Sequence, residues 1–203
     1  LFLTYEETRE KLVGKLLKVL AFRRSSYGVP NREETIGYWE VEEAKGRIGV
    51  IDLSNESSVA LASYIGQWTR NYPIGAIFLD YVQKIPIEGN GRNDTRQLEL
   101  QKTSHAILTT AKAVGIPLIV GAQLNRELGK KGRGVEDMDV SYIREAGDIG
   151  QDANLVLGVW NHAGEKEAET QSALTVVILK NREGPVYKRI ELTADWAWLG
   201  LRE

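Results

Sequence analysis

Continuous runs of apolar residues, separated by segments with helical periodicity, dominate the first 123 residues of the chain. Short apolar runs without polar alternation predict strands that are covered on both faces. Such strands alternating with helices indicate an α/β fold with a parallel, doubly wound sheet. The predicted strands are residues 1–4, 47–53, 74–80 and 116–123. The predicted helices cover residues 5–22, 31–45, 57–72 and 98–114.

The remainder of the chain has a different pattern. Three further apolar runs, residues 154–160, 173–180 and 185–192, follow one another without helical segments between them. We expect these strands to extend the sheet in antiparallel fashion. No apolar run reaches the roughly 20 residues that a membrane-spanning helix needs. The pattern therefore predicts one domain over residues 1–203, with a mostly parallel sheet, an antiparallel extension and no membrane segment.

The composition excludes several kinds of site. Because the chain has no cysteine, it has no disulfide, no cysteine-ligated zinc and no thiol catalyst, and it fits a reducing cytoplasm. The two histidines, His105 and His162, are too few for a histidine-rich metal site. The formal net charge is −2, so any contact with nucleic acid must come from local clusters of arginine and lysine.

Polar side chains follow three of the predicted strands. Asp80 and Gln123 are expected at one crevice, because open parallel sheets bind ligands beyond the carboxyl ends of their strands. Asp80 could hold a metal-bound water in a Mg²⁺–nucleotide site, or it could form a turn or a helix cap. Gln123 could contact a γ-phosphate or satisfy a loop backbone. Glu6 could polarise an attacking water, or it could be a first-turn acid that the helix dipole stabilises.

Basic residues occur in a predicted hairpin and in three loops. Lys180 and Arg182 lie at the end of a predicted strand, before a Gly-Pro turn. They could be solvated hairpin residues, or an arginine finger that stabilises charge on a transferred phosphoryl group, commonly on a neighbouring subunit. The loop residues could together follow a phosphate backbone or form ordinary surface. They are Arg92, Arg96, Lys130, Lys131, Arg133 and Arg144.

A phosphate-binding P-loop is missing from the sequence. The motif requires glycine, four residues and then Gly-Lys followed by serine or threonine, because backbone amides and the lysine surround the phosphates. The Gly-Lys pairs at 14–15 and 129–130 are followed instead by leucine and lysine. The chain also begins at Leu1, inside an apolar run, which suggests a fragment that starts after such a motif.

Four segments occur in a characteristic order along the chain. They are FLDYVQKI, GNGRNDTRQLELQKTSHAILTTAKAVGIPLIVGAQLNRE, YIREAGDIGQDANLVLGVW and LKNREGP. Together they resemble the motifs of the C-terminal motor domain of DnaB-type replicative helicases. The resemblance covers nearly the whole chain and is most specific between residues 76 and 185. The segment LTYEETREKL also resembles the family's turn that carries the catalytic glutamate.

The resemblance implies a RecA-like fold that assembles as a ring, usually a hexamer. It implies hydrolysis of ATP with Mg²⁺, coupled to translocation along single-stranded DNA during DNA replication. The family's Walker A segment and N-terminal helical domain have no counterpart in this sequence. Contacts with primase or a helicase loader would therefore use regions outside it, and this chain alone is expected to be inactive.

The resemblance also implies roles for individual residues. Asp80 would be the Walker B carboxylate that holds Mg²⁺ through water, and Glu6 would activate the attacking water. Gln123 would link the state of the γ-phosphate to the DNA-binding loops, and Lys180 and Arg182 would reach the nucleotide of a neighbouring subunit. The residues implied in DNA binding are Arg144, Glu145 and Gly147 in one loop and Arg92 and Arg96 in the other.

Two features depart from the family pattern and leave alternatives open. The sequence Thr-Tyr-Glu-Glu replaces the usual Ser-Leu-Glu-Met, so the choice of Glu6 over Glu7 rests on register alone. The missing P-loop leaves a second hypothesis, a non-catalytic DNA-binding or ring-assembly subunit. A third is a RecA-like recombinase or clock-type ATPase, which the LNRE and KNREGP strings disfavour.

Overall fold

The protein is represented by a computed structural model in which the chain forms two compact units. The first unit comprises residues 1–9, 48–127 and 140–153, and the second comprises residues 10–47, 128–139 and 154–203. The residues that the structure describes are 1–24, 48–86, 96–125, 128, 133–143, 147–163, 171–196 and 199–202.

The first unit is built on a parallel sheet of short strands. Within the described residues these strands are β1 (Phe2–Thr4), β2 (Val50–Asp52), β3 (Ile77–Asp80) and β4 (Leu118–Val120), in the order β2-β1-β3-β4. Thr4 lies opposite both Asp52 and Asp80, and Leu79 lies opposite Val120. Because all three pairings are parallel, the carboxyl ends of the four strands meet at one edge.

Helices connect the strands of this sheet. The described α-helices of the whole chain are α1 (Arg9–Arg24), α2 (Ser58–Asn71), α3 (Arg96–Val114) and α4 (Gly147–Asp152). The hydroxyl of Ser57 caps α2 by accepting a hydrogen bond from the backbone N–H of Ala60 (3.3 Å). The same helix ends before Pro73, as expected from the exclusion of proline from helix interiors. Among the described residues, no helix is both long and apolar enough to cross a membrane.

The core of the first unit lies between the sheet and helices α2 and α3. Leu61 and Ile65 are one turn apart on α2, and both are buried against the apolar side chains of the sheet. Helices α3 and α4 pack on each other, and the buried hydroxyl of Ser104 donates a hydrogen bond to the carboxylate of Asp152 (2.7 Å). The buried cluster consists of Leu3, Tyr5, Leu53, Leu61, Ile65, Ile77, Leu79, Val82 and Ile85.

The second unit contains an antiparallel sheet. Its described strands are β5 (Leu155–Asn161), β6 (Gln171–Asn181), β7 (Arg189–Asp195) and β8 (Gly200–Arg202), paired in that order. The 3-10 helix Val135–Asp137 is tied to β7 by an ion pair in which both terminal guanidinium nitrogens of Arg189 donate to the carboxylate of Glu136. These hydrogen bonds hold the pKa of Glu136 below its usual value.

The α/β class with an antiparallel C-terminal part is confirmed. The antiparallel strands pair with one another in a separate sheet within the described part of the chain. The predicted strand 185–192 is placed too early, because β7 begins at Arg189 and the preceding residues form the turn. The sequence pattern also missed β8, α4 and the 3-10 helices. The predicted helix over residues 31–45 lies outside the described residues.

Two glycines of the second unit differ in the space around them, one being tightly packed and the other open, so they can be compared by mutation. A Cβ atom at Gly158 of β5 would collide with the sulfur of the buried Met138, whereas one at Gly14 of α1 would meet nothing within 4 Å. We expect Gly158→Ala to destabilise the protein by about 1–3 kcal/mol, because the core cannot take the added methyl without strain. Gly14→Ala should stabilise it by about 0.5–1 kcal/mol, through a smaller loss of backbone entropy. Chemical denaturation measures both, and a stable Gly158→Ala variant would contradict the close packing.

Candidate functional site

The two predicted catalytic carboxylates, Glu6 and Asp80, lie at the carboxyl ends of the neighbouring strands β1 and β3. The backbone N–H of Tyr5 donates a hydrogen bond to the carbonyl oxygen of Asp80 (2.8 Å), which continues the pairing of β1 with β3. Glu6 is the next residue, and the side chains of both Glu6 and Asp80 are exposed. The edge therefore offers two acidic side chains to a ligand.

A local turn determines how Glu6 is presented. The hydroxyl of Thr4 donates to the carbonyl oxygen of Glu7 (2.8 Å) and accepts from the backbone N–H of the same residue (3.0 Å). Thr4 itself is completely buried, so this turn is anchored in the sheet. Glu6 lies at the exposed tip of the turn, while Glu7 is half-buried. Glu6 is thus the more exposed of the two acids, and its choice over Glu7 as the catalytic acid stays a prediction.

Tyr5 precedes this turn and is almost completely buried. Its hydroxyl makes no hydrogen bond within the described part of the chain. Burial, and to a smaller extent the nearby carboxylate of Glu56, raise the pKa of Tyr5 well above its usual value. Tyr5 is therefore held neutral beside the acidic turn, and it adds no charge to the edge.

The segment that follows Asp80 also contacts Glu6. A 3-10 helix, Val82–Lys84, begins two residues after Asp80. The ammonium group of Lys84 lies 3.6 Å from the carboxylate of Glu6 and 5.8 Å from the centre of the Tyr81 ring. Both charged side chains of the ion pair are about half exposed (45% each), so we expect the pair to contribute only about 0–1 kcal/mol to stability. Its main effect is to bring a positive charge to Glu6.

The same 3-10 helix also contacts the end of β4. The side-chain amide of Gln83 donates from Nε2 to the carbonyl oxygen of Gln123 (3.2 Å), and its Oε1 accepts from the backbone N–H of Gln123 (3.1 Å). No role for Gln83 followed from the sequence pattern. In the structure Gln83 and Gln123 each lie three residues beyond the end of neighbouring strands, a match that depends on where β3 and β4 end.

The surroundings of Asp80 are compatible with a hydrated Mg²⁺ ion. Asp80 is exposed, and Gly121 on the neighbouring strand has no side chain that could crowd its carboxylate; even a Cβ atom there would lie at ordinary contact distance from Oδ1 (3.5 Å). Among the described residues, no group of three or more acidic or histidine side chains could hold a metal ion. A single carboxylate suits Mg²⁺ when its other ligands are water and nucleotide phosphates. Asp80 therefore fits the ion, provided that a nucleotide is bound with it.

The predicted basic pair lies in the second unit. Lys180 is near the end of β6 and is half-buried, whereas Arg182 lies in the following turn and is exposed. The backbone N–H of Arg182 donates to the carbonyl oxygen of Asn154 (3.0 Å), and the side-chain oxygen of Asn181 accepts from the backbone N–H of Glu183 (3.1 Å). These bonds hold the backbone on both sides of Arg182, so its guanidinium projects from an ordered turn.

The predicted DNA-binding residues are described only in part. Arg92, Arg144 and Glu145 lie outside the described residues. Arg96 is the first residue of α3, and Gly147 is the first residue of α4. These two helices pack on each other and share the hydrogen bond from Ser104 to Asp152, so Arg96 and Gly147 begin helices that are in contact.

The parallel sheet with its helices, followed by an antiparallel sheet, defines the class as a RecA-like α/β fold. A solved structure of an ATPase domain superposes with a TM-score of 0.79 at 20% identity, over 98% of this chain and 72% of that one. A DnaB-like replicative helicase, whose structure was reported with its interactions with primase, superposes with a TM-score of 0.76 at 20% identity. That match covers 95% of this chain and 48% of the helicase.

The family model for the DnaB-like helicase C-terminal domain matches residues 6–196, so the chain belongs to this family. The replicative DNA helicase DnaC of Bacillus subtilis is 36% identical over 115 residues, which are 56% of this chain and 24% of DnaC. The replicative DNA helicase DnaB of Mycoplasma pneumoniae is 27% identical over 167 residues, which are 77% of this chain and 34% of that protein. The chain thus spans about a third or less of the length of these two relatives.

The turn that presents Glu6 can be tested by replacing Thr4. Thr4→Val keeps the shape of the buried side chain but removes both hydrogen bonds to Glu7, so we expect a loss of about 1–3 kcal/mol in the free energy of unfolding. Thr4→Ser keeps the hydroxyl, so its free energy of unfolding should fall by less than that of Thr4→Val. Chemical denaturation provides the comparison. If the two variants were equally stable, the hydroxyl would not hold the turn.

The buried hydroxyl of Tyr5 predicts a sensitivity to alkaline pH. Because its pKa is raised in the folded state above the ordinary value of 10.0, its contribution to stability is complete below pH 10 and is lost as the pH rises further. Tyr5→Phe should remove this part of the alkaline destabilisation. At neutral pH the substitution should change the free energy of unfolding little, since the hydroxyl has no hydrogen bond to lose among the described residues. Denaturation midpoints of both proteins at pH 8 and above pH 10 measure the difference.

Proposed function

We propose that the chain is the motor part of an ATP-dependent replicative DNA helicase that moves along single-stranded DNA. The observation that carries the proposal is the arrangement of Glu6, Asp80 and Gln123 at or just beyond the ends of three adjacent parallel strands, in a chain of the DnaB-like family. This is the edge at which open parallel sheets bind their ligands.

In this proposal each side chain at the edge has a separate task. Asp80 holds a Mg²⁺-bound water, and Glu6 orients and deprotonates the attacking water. Gln123 responds to the γ-phosphate. Bound Mg²⁺-ATP supplies the phosphoryl group whose charge must be stabilised during hydrolysis. The sequence contains no P-loop string, and this proposal assigns the phosphate cradle to a part of the full-length gene product outside it.

The proposal includes a ring, because Lys180 and Arg182 are assigned to the nucleotide of a neighbouring subunit. A guanidinium in an ordered turn can stabilise transition-state charge without reorganising. Single-stranded DNA would be bound in the centre by the loops that contain the five predicted DNA-binding residues. We further propose a hexamer, located in the cytoplasm, that contacts primase or a loader through regions outside this chain.

Arg182→Ala in the full-length gene product tests the assignment of the finger. We expect ATP hydrolysis to fall by about 10³-fold or more, because an arginine finger stabilises charge that develops only in the transition state. Nucleotide binding should change only slightly. Lys188→Ala is the matched control, since it removes an exposed basic side chain from the same hairpin and should leave hydrolysis unchanged.

A mixing experiment separates action on a neighbouring subunit from action within one chain. When Arg182→Ala and Asp80→Asn subunits are coexpressed, some interfaces combine an intact Asp80 with an intact Arg182 from the neighbour. We expect part of the hydrolytic activity to return in such mixed rings. No recovery would overturn the trans assignment. A full-length protein that binds DNA but neither binds nor hydrolyses ATP would instead support the non-catalytic subunit.

A further inference from the structure

The side chain of Gln83 behaves as an additional peptide group between β3 and β4. These strands pair as far as Leu79 and Val120, and the backbone N–H of Val82 then donates to the carbonyl oxygen of Gly121 (3.0 Å). Beyond this point the Gln83 amide both donates to and accepts from the backbone of Gln123 (3.2 and 3.1 Å). The hydrogen-bonded ladder is thereby prolonged by a side chain.

Gln83 is itself held on a firmly anchored turn. The neighbouring side chain of Val82 is completely buried, and Ile85 is also buried. The backbone N–H of Lys84 donates to the carbonyl oxygen of Tyr81 (3.0 Å), and that of Ile85 donates to Val82 (3.2 Å). The position of the Gln83 amide is therefore set by the segment that directly follows Asp80.

We propose that Gln83 is a positioning residue that orients Gln123 relative to Asp80. Two hydrogen bonds from one planar amide restrict the backbone on both sides of residue 123, whereas a single bond would leave it free to rotate. The direction of the Gln123 side chain then depends on the turn after Asp80. This inference rests on the proposed function, in which Gln123 links the state of the nucleotide to the DNA-binding loops.

The test is Gln83→Met in the full-length gene product, because methionine keeps the length of the side chain but makes neither bond. We expect the backbone amide of Gln123 to exchange its hydrogen faster. The stimulation of ATP hydrolysis by single-stranded DNA should fall roughly tenfold, as expected when a contact group is slightly misplaced. Nucleotide affinity should not change. Gln67→Met, at an exposed position of α2, is the matched control and should alter none of these quantities.

A double variant separates positioning from a purely structural role. Gln123→Ala removes the side chain but keeps the backbone groups that Gln83 binds. Gln83→Met should therefore shift the denaturation midpoint by the same amount in the wild-type and Gln123→Ala backgrounds. Its effect on DNA stimulation should occur only in the wild-type background, because the side chain that it positions is already missing from the other.

The outcomes distinguish this inference from the proposed function. If DNA stimulates the wild-type protein and Gln83→Met equally, the positioning role is overturned and the proposed function stands. If Gln123 exchanges its amide hydrogen at the same rate in both proteins, the two hydrogen bonds do not constrain it and the role is again overturned. If single-stranded DNA does not stimulate the wild-type protein, the proposed function and this role fail together.

Discussion

The parallel pairing of β1 with β3 is the constraint on which the candidate site depends. Thr4 lies opposite Asp80. The backbone N–H of Tyr5, the residue after β1, then donates to the carbonyl oxygen of Asp80 and continues the same register. A shift of one residue would turn the alternate side chains to the other face of the sheet. The buried residues Leu3 and Leu79 oppose such a shift, so the apolar core also aligns the two acidic residues.

The short turn after Asp80 connects the separate parts of this edge. Lys84 approaches Glu6 on one side, and Gln83 binds the backbone of Gln123 on the other. The two contacts differ in geometry, because the ion pair is one charge–charge contact that salt screens, whereas the two hydrogen bonds from the Gln83 amide also define an orientation. The 3-10 helix Val82–Lys84 directly follows Asp80 and thus connects it to both Glu6 and Gln123.

Much of this arrangement could be predicted from the sequence. Apolar runs located β1 to β4, and the rule that ligands bind at the carboxyl ends of strands selected Asp80 and Gln123. The partnership of Gln83 could not be predicted, because it depends on the register between β3 and β4, which spans about 40 residues of sequence. The start of β7 was also missed, since the turn at Tyr187, with a positive φ of 59°, leaves no signal in an apolar count.

The turn around Glu6 has a further consequence for how the protein folds. Thr4 and Glu7 are three residues apart, so their hydrogen bonds can form as soon as this short segment adopts its turn. The pairing of Thr4 with Asp80 instead requires a long stretch of chain to close, which costs more entropy and is slow. The turn that presents Glu6 can therefore form early. The carboxyl edge of the parallel sheet is completed only when the distant strands β1 and β3 associate.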